Sequence, residues 1–143
     1  MPLLALQAQQ LTATEVSLGA AAVMARHTFA GAELGIARRP GTETRVAVAV
    51  AGGSDDGHAA GRAQLTLQLL VNPTARNGIG LFAGLGAACS ARRGSPGKGW
   101  LAVVLGLEAA PGRRKSWYVE LGLAGGARVA AGWRLRKFPV WWR

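Results

Sequence analysis

The sequence predicts an all-β fold: an eight-stranded antiparallel up-and-down transmembrane β-barrel with short turns and a polar interior. Three observations carry this reading. Apolar residues recur with a period of two along most of the chain, as they do when successive side chains point to opposite faces of a strand. Glu15, Glu33, Glu108 and Glu120 each stand in such a stretch, and each falls on its small or polar face. No run of about 18 uninterrupted apolar residues occurs, so a helical span is not expected, whereas a barrel strand crosses a membrane with only about 9 to 11 residues.

The elements follow in order from the alternation. The first strand runs from about Thr12 to Met24, with Val16, Leu18, Ala20, Ala22 and Met24 opposing Glu15, Ser17, Gly19, Ala21 and Val23. Arg26 to Thr28 turns the chain. The second, about Phe29 to Arg38, sets Leu34 and Ile36 against Glu33, Gly35 and Ala37, and Arg39-Pro40-Gly41-Thr42 has turn composition. The third, Glu43 to Ala51, places Val46, Val48 and Val50 opposite Arg45, Ala47 and Ala49. Gly52 to His58 is the longest loop by composition, and its acids and glycines predict mobility. The fourth strand, about Gly61 to Asn72, alternates Leu65, Leu67, Leu69 and Val71 with Gln64, Thr66, Gln68 and Leu70; Pro73 to Asn77 forms the next turn.

The fifth, Gly78 to Ser90, carries Ile79, Leu81, Ala83 and Leu85 against Gly78, Gly80, Gly84 and Gly86, with Phe82 an exception on the glycine face. Repeated glycines on one face fit a curved barrel wall or a bulky neighbour inside it. Arg92 to Gly99 reads as a flexible basic loop. The sixth strand, Trp100 to Ala109, opposes Leu101, Val103, Leu105 and Leu107 to Trp100, Ala102, Val104, Gly106 and Glu108, and Ala110 to Lys115 returns the chain. The seventh, Trp117 to Ala124, is the clearest, because a helical period would not separate Trp117, Val119, Leu121 and Leu123 from Tyr118, Glu120, Gly122 and Ala124. Gly125-Gly126 is a two-residue hairpin turn. The eighth, about Ala127 to Phe138, alternates Val129, Ala131, Trp133 and Leu135 with Arg128, Ala130, Gly132, Arg134 and Arg136.

The polar face gathers charges that a barrel in lipid would turn inward. Unpaired, they would be costly in a narrow interior, so Glu15, Glu33, Arg45, Arg62, Glu108, Glu120, Arg128, Arg134 and Arg136 are expected to form a luminal ion-pair network. Trp100, Trp117, Trp133, Trp141 and Trp142 lie near predicted strand ends or the terminus, where amphipathic rings suit an interfacial girdle. The domain reading is residues 1–11 as a residual signal or N-terminal tail, 12–138 as the barrel and 139–143 as an aromatic tail. Leu3 to Ala8 resembles the end of an apolar signal region followed by a small-residue cleavage site, although the stretch is short and lacks a positive start.

The formal charge of +10, from 17 Lys and Arg against seven acids, raises a nucleic-acid reading. Against it, Arg38 with Arg39, Arg92 with Arg93, and Arg113-Arg114-Lys115 fall at strand ends distributed around two rims, where cations can equally meet lipid phosphates. A soluble β domain, packed on one face and binding nucleic acid or another anionic partner, remains the alternative; nucleic acid is not the expected partner. Cys89 has no second cysteine to pair with, and two widely separated histidines make no zinc cluster. Gly78 to Gly84 matches a dinucleotide fingerprint only loosely and lacks its strand-turn-helix setting.

From about Thr12 to Phe138 the pattern resembles the small eight-stranded outer-membrane β-barrel proteins of diderm bacteria. Members commonly end on an aromatic residue preceded by alternating apolar residues. Phe138, Val140 and Trp142 approximate that ending, with Pro139 interrupting the ladder and Arg143 following the aromatic. The resemblance implies location in the bacterial outer membrane within the cell envelope, lipid as the surrounding partner, and a structural or interaction role. Contact with another membrane protein or assembly would be aided by the small outward residues Ala20, Ala22, Ala83 and Ala87. Some barrels of this kind modify lipid A, but no serine stands with a histidine and an acid on one predicted strand face. Catalytic, cofactor and metal residues are accordingly not assigned. An open pore is not expected either, since eight strands enclose little free space.

Overall fold

The structure, a computed structural model, describes residues 12–25, 28–92 and 95–142, with the side chains of 92, 95 and 96 left aside. The proposed signal remnant, Arg26, His27, Arg93 and Arg143 lie outside the described residues. Among the described residues eight strands form one closed antiparallel barrel in sequence order: β1 (Ala13–Met24), β2 (Thr28–Arg39), β3 (Thr44–Asp55), β4 (His58–Leu70), β5 (Ile79–Arg92), β6 (Ser95–Ala109), β7 (Lys115–Leu123) and β8 (Ala127–Lys137). Closure comes from β1 pairing with β8, Leu18 opposite Trp133 and Thr14 opposite Lys137. Pairing runs around the whole barrel and leaves no free edge where all eight strands meet, while β6 projects beyond its pairing with β7 from Ser95 to Ala102.

The alternation sorts side chains as the sequence predicts, and the sorting is inverted relative to a soluble protein. Leu34 (55 % exposed), Leu67, Leu85, Leu105 and Leu121 stand on the outer wall, while Glu15, Arg45, Gln68, Glu108 and Arg136 are buried inside. Apolar residues within the barrel form only small separate clusters, such as Val23, Phe29 and Ala51 near one end and Leu70, Phe82 and Val104 toward the other. Phe82 points inward among glycines because its ring fills the space over Gly106, where even a Cβ would collide with it.

Two connections differ from the sequence reading. The Gly52 to His58 stretch is not a long loop: β3 continues through Gly52-Gly53-Ser54-Asp55 and turns on Asp56-Gly57 alone. Both turn residues have left-handed φ, 49° and 85°, the geometry of a tight hairpin whose twist matches the flanking strands. Similarly, β6 starts at Ser95, within the segment read as a basic loop. In both places glycines and charges imitate loop composition, whereas cross-strand pairing decides the structure. The turns at 40–43, 71–78 and 110–114 share one end of the barrel with both strand termini; the other end carries the remaining connections.

Candidate functional site

The barrel interior is organised around two carboxylates. Glu15 of β1 and Glu108 of β6 project inward from opposite walls, and Arg45 of β3 bridges them with Nη1 at 3.2 Å from each. Arg136 of β8 donates Nε to Glu15 at 2.9 Å and Nη2 to Glu108 at 2.9 Å. Arg134 pairs with Glu108 and lies 3.8 Å from Glu15. Arg39, at the end of β2, donates Nε to Glu15 at 3.0 Å and approaches Glu108 at 3.7 Å. Four guanidiniums thus share two carboxylates, and both Arg39 and Arg45 are wholly buried.

Neighbouring polar and aromatic groups hold the guanidiniums in place. Arg45 donates Nε to Gln68 at 2.8 Å, and Gln68 in turn donates to Thr66 at 2.9 Å. Arg136 donates to the Ser116 hydroxyl at 2.7 Å. The Phe82 ring lies 4.6 Å from the Arg45 guanidinium and 5.4 Å from that of Arg134, which also stacks 4.5 Å from Tyr118. These π faces take up cationic surface that has lost its water.

A second cluster sits toward the opposite end. Arg128 of β8 donates to Glu120 at 3.0 Å and to Glu33 at 2.7 Å, and Arg134 links the clusters with Nη2 at 3.9 Å from Glu120. Arg62 is different from the rest of the predicted set. It makes no ion pair among the described residues, donating to the Ala124 carbonyl and stacking on Phe29 and Trp100 at 5.8 and 5.1 Å. Between the clusters lies a cavity of about 30 Å³ bordered by Ser17, Glu33, Tyr118, Glu120 and Arg134, room for a water or two.

At the end holding the strand termini, turns and C-terminal segment are tied together. Arg39 donates to the Pro73 and Pro111 carbonyls, each at 3.0 Å, and Trp142 donates Nε1 to the Gly112 carbonyl at 2.8 Å. Arg76 stacks 4.2 Å from the Trp142 ring, and Arg113 reaches Asn77 at 3.1 Å.

The tryptophans divide into two groups. Trp117 and Trp133 are cross-strand partners on the outer wall, toward the end with the termini, and Trp141 is exposed at that same end. Trp100 faces the lumen instead, beneath Arg62 and against Gly125, because it shares strand parity with Ala102 and Val104. Trp142 is half-buried in the tied end. Arg39 and Ser116 complete the interior beyond the set read from the sequence, and Phe82, read on the glycine face, points inward with them. For Arg39 the signal was present, since it continues the inward series Glu33, Gly35, Ala37, and its neighbour Pro40 drew it into the turn.

Histidine, cysteine and carboxylate groups form no metal-binding cluster among the described residues. No protein-family model matches the chain, and no curated relative matches it. Solved structures do. The N-terminal β-barrel domain of Pseudomonas aeruginosa OprF superposes with a TM-score of 0.64 at 12 % identity, covering 90 % of this chain and 97 % of that one. Ail, the attachment invasion locus protein of Yersinia pestis in complex with the heparin analogue sucrose octasulfate, gives 0.59 at 14 % identity over 90 % and 99 %. Neisserial surface protein A gives 0.54 at 11 % identity over 87 % and 96 %. The chain has the fold of these small eight-stranded barrels.

Proposed function

We propose that the protein is a structural or interaction protein of the bacterial outer membrane, a small barrel without an open pore. The observation that carries this reading is the inversion of the wall. A continuous outer surface of leucine, valine and isoleucine surrounds a charged interior, which is stable only where lipid replaces water outside. Likeness to the OprF, Ail and neisserial barrels supports the outer membrane as the location. The absence of an open channel is inferred from the lumen itself: the Arg45 bridge spans it from wall to wall, the two cavities along it between Glu15 and Arg62 measure about 30 and 10 Å³, and Arg39 and Trp142 tie the turns at one end. Among the described residues no nucleophile stands with a histidine and an acid in this interior, and Glu15, Glu33, Glu108 and Glu120 are each engaged by arginines.

The test is expression behind a complete secretion signal, followed by membrane fractionation, comparison of unboiled and boiled samples on a gel, and conductance in planar bilayers. Recovery with the outer membrane, a mobility change on boiling and no steady single-channel conductance are expected. A protein recovered without detergent and unchanged by boiling would overturn the membrane reading. A steady conductance would overturn the closed lumen alone.

A further inference from the structure

The charges along the middle of the strands point inward, yet a few cations stand on the outer wall at the edge of its apolar belt. Arg38 of β2 is the cross-strand partner of Thr14 of β1, and Thr14 is in turn the partner of Lys137 of β8. The three therefore form one row across three adjacent strands, spaced about 4.8 Å apart. On the next strand, Lys115 stands opposite Leu135, two residues from Lys137 on the same outward face. All four side chains are exposed, and the three cations make no ion pair with any described acid. Directly inward along the wall lie Ile36, Val16 and Leu135, with the outward pair Trp117 and Trp133; the Lys115 ammonium is 5.5 Å from the Trp133 ring.

We propose that this arc, Arg38, Thr14, Lys137 and Lys115, binds the phosphate headgroup of an anionic glycerophospholipid in the leaflet at the end of the barrel that carries the strand termini. The inference rests on the membrane reading above and adds a lipid class and a site to it. The chemistry fits at each position. Two or three unpaired cations and a hydroxyl supply donors to a phosphodiester, tryptophans border them at headgroup depth, and leucine, valine and isoleucine below receive the acyl chains. A soluble polyanion would have no use for that apolar continuation. At the same end Arg76 stacks on Trp142 and Arg113 donates to Asn77, both in turns beyond the strands, and the exposed Arg114 precedes β7, so the arc is the basic feature set on these four strands where they border the belt.

The full chain in phosphatidylcholine vesicles containing phosphatidylglycerol tests this. Bromine on the acyl chains of one lipid or the other quenches nearby tryptophan and so reports which lipid sits beside Trp117 and Trp133. The wild type is expected to prefer phosphatidylglycerol on the order of tenfold, with the preference falling as salt rises. The triple variant Arg38→Gln, Lys115→Gln, Lys137→Gln should bring the ratio near one, while Lys98→Gln at the opposite end should leave it unchanged. A wild-type ratio near one, or an equal preference in the triple variant, overturns the lipid site. So does an oligonucleotide that binds the detergent-solubilised protein through these residues in the absence of any lipid preference. Flotation keeps the two readings apart: a chain that does not float with vesicles overturns the membrane reading and this one with it, whereas one that floats without preference overturns the site alone.

Discussion

At the residue scale the decisive number is the ratio of charges in the main luminal cluster. Four guanidiniums surround Glu15 and Glu108, so the carboxylates are shared hubs and each arginine is one of several spokes. Glu15→Gln would leave Arg39, Arg45 and Arg136 facing Glu108 alone, with Arg134 shared between Glu108 and Glu120, which leaves excess positive charge inside the barrel. The expected cost is about 3–5 kcal/mol, the range for breaking a buried ionic network by removing one partner. Arg134→Gln moves the cluster toward balance and is expected to cost less, about 1–2 kcal/mol for lost hydrogen bonds. Adding Arg45→Gln to Glu15→Gln should recover part of the loss, a coupling that a double-mutant cycle measures directly. Urea unfolding in lipid vesicles reads the wild type, the single variants Glu15→Gln, Arg45→Gln and Arg134→Gln, and the double variant; equal costs for Glu15→Gln and Arg134→Gln would contradict the hub arrangement. Strand parity makes most of these residues legible in the sequence. It does not say which arginine meets which glutamate, because partners such as Glu33 and Arg128 lie on strands that meet only across the lumen.

At the element scale the strands follow from alternation and the turns do not follow from composition. Gly52, Gly53 and Asp55 have the residue types of a loop, yet each pairs with β2 or β4, Gly53 opposite both Gly31 and Ala60. At Gly53 a side chain would collide with the Ala30 carbonyl and Gly31, whereas Gly52 borders open space, and the constraint at Gly53 is set by a neighbouring strand, not by the local sequence. What remains for the connection is Asp56-Gly57, and it is well specified. Asp56 Oδ1 accepts from Thr28 N at 3.1 Å, Gly57 N donates to Ser54 Oγ at 3.1 Å, and both residues are left-handed. Gly57→Val is therefore expected to cost about 1–2 kcal/mol, the penalty for a side chain in that conformation. Asp56→Asn keeps the accepting oxygen and tolerates the same backbone, so it should be neutral within about 0.5 kcal/mol. The temperature at which the folded gel band disappears separates the two; a tolerated valine would mean that the turn opens into a longer loop.

At the scale of the whole molecule, sequence alternation is compatible with two walls of opposite meaning. A soluble sandwich would need a second sheet to cover its leucines, and a barrel in lipid needs none. Closure of β1 on β8 decides the geometry, a long-range pairing that no local signal announces. Once the barrel is closed, a single substitution reports its solvent. Leu34 lies half-way along β2 on the outer wall and is 55 % exposed on the isolated chain. In water, replacing so exposed a side chain by arginine would change stability within about 0.5 kcal/mol. Near the middle of a bilayer the same change carries a buried charge and should cost about 2–4 kcal/mol. Arg38, four residues further along the same face, is part of the proposed headgroup site, so the penalty should decline for arginine placed at Ile36 and vanish at the wild-type position. Reversible unfolding of Leu34→Arg and Ile36→Arg from lipid vesicles measures this gradient. A flat and negligible cost at both positions would mean that the apolar wall faces something other than lipid.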